Sequence, residues 1–232
     1  MPRLAYIVTG AFVVLWLKKT VIVSLGGSFL FSHPNALSLL KKELMDMHRF
    51  NFGIIVGGGR LARSYIDFAR KLGLTMNAMH SIGIMGTNIN AFMISKYFNC
   101  MVYYGDPRSM KFKDRITVSG GFKPGWTTDV CSAYASVSSG SNVIFNISKE
   151  KGVYTKDPKA FENAKSIKTI NASKLIAMMT DKRTAGVNYI FDPMASKICI
   201  INGIRVVVTN SVLDISRYLN GIEVKGTIIE PK

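Results

Sequence analysis

SGGFKPGWTTDVCSAYAS, residues 119–136, joins a short apolar run, Ile116–Val118, to a pattern of small residues at helical spacing. Two adjacent glycines and a Pro-Gly turn lie between them. Glycine lets a ligand approach the backbone where any Cβ would clash. Thr127 and Thr128 add hydroxyls, and the first turn of the following helix offers unpaired N–H groups at its positive dipole end. One reading is an anion or phosphate site at a strand-to-helix junction. The other is a Gly/Pro connector in which Thr or Asp does no more than cap a helix.

Two further glycine-rich junctions tip the choice toward phosphate. Thr20–Leu25 (TVIVSL) is apolar or β-branched at nearly every residue, as in a strand covered on both faces of a parallel sheet, and it ends in Gly26-Gly27-Ser28. Phe52–Val56 is a second such strand and runs directly into Gly57-Gly58-Gly59. Arg60–Leu72 then places Leu61, Ala62, Tyr65, Ile66, Ala69 and Leu72 on one helical side, with Arg63, Asp67, Arg70 and Lys71 on the other. Arg63 lies in the first turn, where a cation works against the helix dipole unless a bound phosphate offsets it.

Working outward, helices are expected over Asn35–His48, Ser81–Phe98, Asp129–Val137, Asn171–Thr180 and Asp192–Asn202. Gly83, Gly86 and Ala91 suit close packing of the second of these. Strands are expected over Cys100–Tyr104, Ile116–Ser119, Asn142–Ile147, Arg205–Thr209 and Gly226–Glu230. Ser148–Lys159 (SKEKGVYTKDPK) reads as a hairpin or loop with Tyr154 at its tip, able to flank a purine or to act as a plain loop anchor. The alternation implies an α/β fold, a three-layer αβα sandwich with a largely parallel central sheet. Ligands in such sheets sit beyond the carboxyl ends of the strands, where every glycine junction falls.

Composition bounds the function. The chain has 232 residues, 48% hydrophobic and 19% charged, enough to bury a core and too apolar for disorder. Thirty Lys+Arg against fourteen Asp+Glu give a net charge of +16 and a surface that attracts anions. The basic residues are scattered in short pairs, without zinc-finger spacing, an RNP-like motif or a basic arm, so no nucleic-acid partner is expected. Cys100, Cys131 and Cys199 are too far apart for a metal or disulfide framework and read as packing in a reducing, cytoplasmic setting. His33, His48 and His80 lack ligand spacing, and no metal-binding side chains are assigned. Leu4–Leu17 is an apolar run of fourteen residues, shorter than the roughly 20 that span a bilayer. Residues 1–17 therefore read as an N-terminal extension or a start assigned too early, ahead of the alternative of a signal anchor, before a domain at 18–232, with no membrane partner expected.

Four loops carry the chemistry: GGS, GGGRLAR, GGFKPGWTTD and KGVYTKDP. None is a Walker A loop, and no Ser-His-Asp or Cys-His set is spaced for nucleophilic catalysis. Phosphate-cradling loops with few acids or bases suit phosphoryl transfer, where positioning and charge neutralisation supply most of the catalysis.

With these loops and the closing GTIIEP, the chain from Lys18 to Pro231 resembles the amino-acid kinase superfamily, and looks most like its UMP kinases of the archaeal type. The resemblance implies transfer of the γ-phosphate of Mg-ATP to UMP, with Mg²⁺ carried by the phosphates. It implies a phosphate-acceptor lobe at 18–140 and an ATP lobe at 141–232. Gly27, Ser28, Gly59 and Arg63 would meet the ATP phosphates, with Arg63 and Ser28 catalytic, and Ser148, Tyr154 and Asp157 would hold the ATP base and ribose. Gly58, His80, Phe122, Lys123, Pro124, Gly125, Trp126, Thr127 and Thr128 would hold UMP. A homohexamer built from dimers and inhibition by UTP are implied as well.

Four positions depart from the family pattern. Ser24 stands where many relatives have Lys, and Asp192, in FDPMASK, matches an aspartate that would orient that Lys. His80 stands where an Asp contacts the nucleoside, or is simply a helix-start histidine. Lys151 stands where an Asp is expected and would add charge near ATP. Isopentenyl phosphate kinases share the fold but use a His after their glycine loop, where this chain has Arg63 and Tyr65. A catalytically weak anion-binding or storage protein on the same fold stays open beside the kinase reading.

Overall fold

A computed structural model describes residues 3–8, 11–16, 18–112, 114–158, 160–180 and 190–232. The apolar run at the N-terminus divides into β1 (Arg3–Val8) and β2 (Ala11–Trp16), an antiparallel hairpin pairing Arg3 with Trp16. β3 (Lys19–Leu25) follows, and its last five residues are buried because the sheet is covered on both faces. The chain then forms α1 (Gly27–Ser32), α2 (Pro34–Asp46), β4 (Phe50–Val56), α3 (Gly59–Lys71) and α4 (Met76–Phe98). β5 (Met101–Tyr103), β6 (Ile116–Ser119), α5 (Thr128–Ser139) and β7 (Val143–Ile147) complete the first part. β8 (Val153–Tyr154), β9 (Ser166–Ile167), β10 (Thr169–Asn171), α6 (Ala172–Thr180), α7 (Pro193–Asn202), β11 (Arg205–Thr209), α8 (Asp214–Leu219) and β12 (Thr227–Glu230) follow.

Eight strands form the central sheet in the order β10-β12-β11-β7-β3-β4-β6-β5, parallel except where β11 meets β12. The inner strands β7, β3, β4 and β6 are all parallel, so their carboxyl ends open on one edge. Side chains alternate across the sheet. Val21, Val23, Leu25, Phe52, Ile54 and Phe145 face Leu40, Leu44 and Ile94 of α2 and α4. Ile22, Ile55, Ile144 and Val206 face Val130, Leu175, Ala195 and Cys199 of α5, α6 and α7. Each such aliphatic or aromatic side chain contributes roughly 1.5–3 kcal/mol on burial. The result is the expected three-layer sandwich.

Three local expectations need correction. Tyr65 of α3 and Leu72, which follows its last residue, are 59% and 62% exposed, because Ala62 and Ala69 alone make the narrow buried stripe of that helix. α4 begins at Met76, five residues before the expected start, because Thr75 caps it through the Ala78 amide. His80 consequently lies inside the helix. The short helices α1 and α8 fall below the length at which hydrophobic periodicity is readable.

Candidate active site

The first and second glycine junctions pack backbone against backbone. A Cβ on Gly27 would collide with the Gly57 carbonyl oxygen and stand 2.5 Å from the Gly59 nitrogen. Gly59 itself has φ +59°, the left-handed region that glycine enters without strain. This contact sets the start of α3 directly against the start of α1. Arg63, one turn into α3, donates from Nη2 to Ser28 Oγ at 2.7 Å. The arginine is exposed and the serine half-buried, so the pair lies open to a ligand.

The third junction is attached through α4. Thr87 Oγ1 accepts from the Gly121 amide at 2.6 Å and donates to Ile84 O at 2.6 Å. Asn90, 1% exposed, donates from Nδ2 to Gly57 O at 2.8 Å and Gly58 O at 3.1 Å. Gly86 packs on Ala62, and Ala91 is fully buried, as their small size anticipates. Beyond Gly121 the loop folds on itself. Phe122 lies 6.2 Å from Trp126, and the Trp126 ring stacks on Tyr134 at 4.5 Å. Lys123 Nζ sits 4.3 Å from the Trp126 centroid, a cation–π contact. Lys123, Pro124 and Gly125 are exposed at the tip. Thr127 caps α5 through the Val130 amide, so the capping reading of this residue holds as well, and Thr128 opens the helix.

The fourth loop follows β7. Gly26 N donates to Ile147 O at 2.8 Å, which places Ser148 next to the first glycine junction. Ser148 N donates to Thr209 O, and its hydroxyl accepts from the Glu150 amide. Tyr154 belongs to the separate β8–β9 pair, opposite Ser166, and is tethered to the main sheet where Val153 N donates to Thr227 Oγ1 at 2.8 Å. Asp157 follows, its carbonyl accepting from Ala160 and Phe161. Gly27, Ser28, Gly58, Gly59, Arg63 and Ser148 thus share one end of the sheet, with the Phe122–Thr128 loop joined to them by α4. His80 is exposed in the second turn of α4.

A carboxylate network lies beneath these loops. Ser24, 3% exposed, is the polar residue among the five buried residues of β3. It donates to Asp129 Oδ1 at 3.0 Å, and Asp129 Oδ2 accepts from the Asp192 amide at 3.3 Å. Enclosure of the Asp129 carboxyl pushes its pKa up to about 6, against the opposing effect of the Ser24 hydrogen bond. Asp192 accepts from Thr127 Oγ1 at 3.0 Å and caps α7 through the Met194 and Ala195 amides. The acid bonded to Ser24 is therefore Asp129 rather than Asp192. Sequence reasoning passed over Asp129 as a helix-start acid, and over Asn90 altogether. The signal for Asn90 was an amide inside the apolar stretch Ile89–Ala91 of a long helix.

The three cysteines read as packing: burial pushes the Cys131 and Cys199 thiols up to about 12 and that of half-buried Cys100 up to about 11. Among the described residues, no helix is long and apolar enough to cross a membrane.

The family model for the amino acid kinase family matches residues 19–210. A uridylate kinase of Thermoplasma acidophilum is 32% identical over 224 residues, covering 92% of this chain and 98% of that protein. A uridylate kinase of Sulfolobus acidocaldarius is 31% identical, covering 93% of this chain and the whole of that protein. Among solved structures, the uridylate kinase of Archaeoglobus fulgidus superposes with a TM-score of 0.79 at 29% identity, over 90% of this chain and 99% of that one. The UMP kinase of Bacillus anthracis, at 19% identity and a TM-score of 0.74, shares the fold.

Proposed function

This chain belongs to the amino acid kinase family, alongside archaeal uridylate kinases, and on that footing we propose that it transfers the γ-phosphate of ATP to UMP. The observation that carries the reading is the Arg63–Ser28 hydrogen bond across two glycine junctions packed too closely for any side chain. An oxygen of the UMP phosphate attacks the γ-phosphorus in line. The bond to the β,γ-bridging oxygen breaks, and ADP leaves with that electron pair, so UDP forms without a general base. Gly27, Ser28, Gly59 and Arg63 hold the transferring phosphoryl group, with Arg63 and the N–H groups opening α3 spreading its charge. Gly58, His80 and the segment Phe122, Lys123, Pro124, Gly125, Trp126, Thr127 and Thr128 hold UMP. Ser148, Tyr154 and Asp157 hold the base and ribose of ATP.

Among the described residues no cluster of His, Cys, Asp or Glu could hold a metal ion, so magnesium would be carried by the phosphate and water oxygens it prefers. When bound it would neutralise charge on the β- and γ-phosphate oxygens. In this reading residues 18–140 form the acceptor lobe and 141–232 the ATP lobe, and the enzyme serves pyrimidine nucleotide synthesis in the cytoplasm. A homohexamer built from dimers is supported by exposed apolar side chains along α3 and α4, including Phe68, Met85, Ile89 and Phe92. Inhibition by UTP belongs to the same reading.

The deciding experiment measures ADP release with Mg-ATP and a panel of UMP, dUMP, CMP, AMP and isopentenyl phosphate. Turnover confined to UMP is expected. Turnover with another acceptor alone would move the substrate and point first to His80. Nucleotide binding without turnover would replace the kinase reading with a storage role.

A further inference from the structure

Asn90 is not among the residues assigned to substrate above, yet it governs two of them. It sits mid-helix in α4, 1% exposed, and directs its amide nitrogen onto two successive main-chain carbonyls more than thirty residues away. In a trans peptide the C=O and the following N–H point in opposite directions across one rigid plane. A carbonyl of Gly57 held toward Asn90 therefore turns the Gly58 N–H away from α4. The carbonyl of Gly58, held the same way, turns out the Gly59 N–H. The Gly58 carbonyl also accepts from the Ala62 amide at 3.2 Å, so Asn90 reinforces the first turn of α3 there, whereas at Gly57 its amide alone keeps the carbonyl from rotating toward a phosphate, where oxygen would repel oxygen. Gly57 N is already committed to Leu25 O at 2.8 Å, so the peptide before it is fixed by the sheet.

From this geometry we infer that Asn90 is a positioning residue for phosphoryl transfer. Its amide orients the Gly58 and Gly59 N–H groups toward the phosphates on either side of the transferring group. The inference rests on the kinase reading. Thr87, one turn earlier and 8% exposed, holds the Gly121 amide, so a single helix sets both the second glycine junction and the acceptor loop.

The test compares Asn90→Asp, Asn90→Ser and Ser95→Ala in the full chain. Asn90→Asp keeps the volume and removes both donors, whereas Asn90→Ser leaves one short donor. Ser95 is equally buried on the same helix but donates to Phe92 O within it, and serves as the control. Turnover with Mg-ATP and UMP is divided by the ADP-binding stoichiometry from calorimetry, so that a partly unfolded sample is not read as a catalytic loss. At pH 8, kcat per site should fall at least about 30-fold in Asn90→Asp and about 10-fold in Asn90→Ser, and stay within twofold in Ser95→Ala. The introduced carboxyl can donate once protonated, so the Asn90→Asp loss should shrink as the pH is lowered from 8 to 6, measured against the unaltered chain. A purely structural role would lower the stoichiometry, leave kcat per site unchanged and give no such recovery. A kcat per site within threefold of the unaltered chain in Asn90→Asp, or in Asn90→Ser if the former does not fold, overturns the inference. If the unaltered chain turns over no acceptor, the kinase reading falls by itself. ADP affinity then decides Asn90: tenfold weaker binding in Asn90→Ser supports the positioning role, and unchanged binding overturns it.

Discussion

Asp129 accepts hydrogen bonds from Ser24 Oγ and the Asp192 amide beneath the glycine junctions. Its folded pKa of about 6 lies above the ordinary 3.8, so the folded protein binds this proton more tightly than the unfolded chain. The stabilisation is fully present below pH 3.8 and is lost as the pH rises through 6. The displacement is worth at most about 3 kcal/mol, and partial solvent access to the residue reduces that to about 1–2 kcal/mol. Asp129→Asn should therefore raise the melting temperature at pH 8 and give a smaller gain at pH 5, as followed by thermal unfolding at both pH values. A uniform shift would show that the buried charge is not the cause. Arg63 acts at the same scale. Replacing it with Ala should lower kcat by about 10²–10³, the loss typical of one charge-stabilising donor, with a change in melting temperature below about 2 °C because the side chain is exposed. Arg63→Lys should recover part of that, since an ammonium restores the charge but not the planar fork.

Among the elements, α1 and α3 meet end to end through glycine backbone, and α4 ties α3 to the loop before α5. These junctions leave no room for even one carbon. Gly27→Ala should destabilise the protein by about 1–3 kcal/mol through overpacking against backbone that cannot rotate aside. It should also lower kcat/KM at least 100-fold if the amides of this loop hold phosphate as proposed, because they move with the loop. Denaturant unfolding and steady-state kinetics of the one variant check both. A destabilised variant with full activity would mean that the glycine contact is structural only. The Trp126–Tyr134 stack does for the Phe122–Thr128 loop what the glycine contact does for the first two junctions, fixing an exposed turn to the body of α5.

At the scale of the molecule, the central sheet opens its carboxyl ends on one side, while α3 and α4 leave an apolar surface on another. Ile89 is 58% exposed on α4, whereas Asn90 beside it is buried against the glycine junction. Assembly and catalysis would thus use adjacent sides of one helix. Ile89→Asp should convert the assembly to smaller species in sedimentation, since a charge in an apolar interface loses its water without a partner. Unchanged sedimentation would place the subunit contact elsewhere. The surplus of sixteen positive charges draws anions such as nucleotides toward the protein.

Patterns that depend on near neighbours along the chain were readable from the sequence. The unbroken apolar runs of β3, β4 and β7 announced a sheet covered on both faces, and the glycines after β3 and β4 announced the close backbone junction there, because burial and close approach are demands each segment meets with its own residues. The family motifs pointed to the amino acid kinase family, whose model matches residues 19–210. Contacts between residues far apart in the chain were decided only by tertiary structure. Ser24 reaches Asp129 across 105 positions and Asn90 reaches Gly57 across 33, and no periodicity records either pairing. The exposure of Tyr65 and Leu72 follows likewise from how α3 is covered, by α4 along its Ala62–Ala69 stripe and by α1 at its start, which leaves the rest of its apolar side open. A segment carries its own preference for helix, strand or turn; which buried polar group meets which depends on how the layers close.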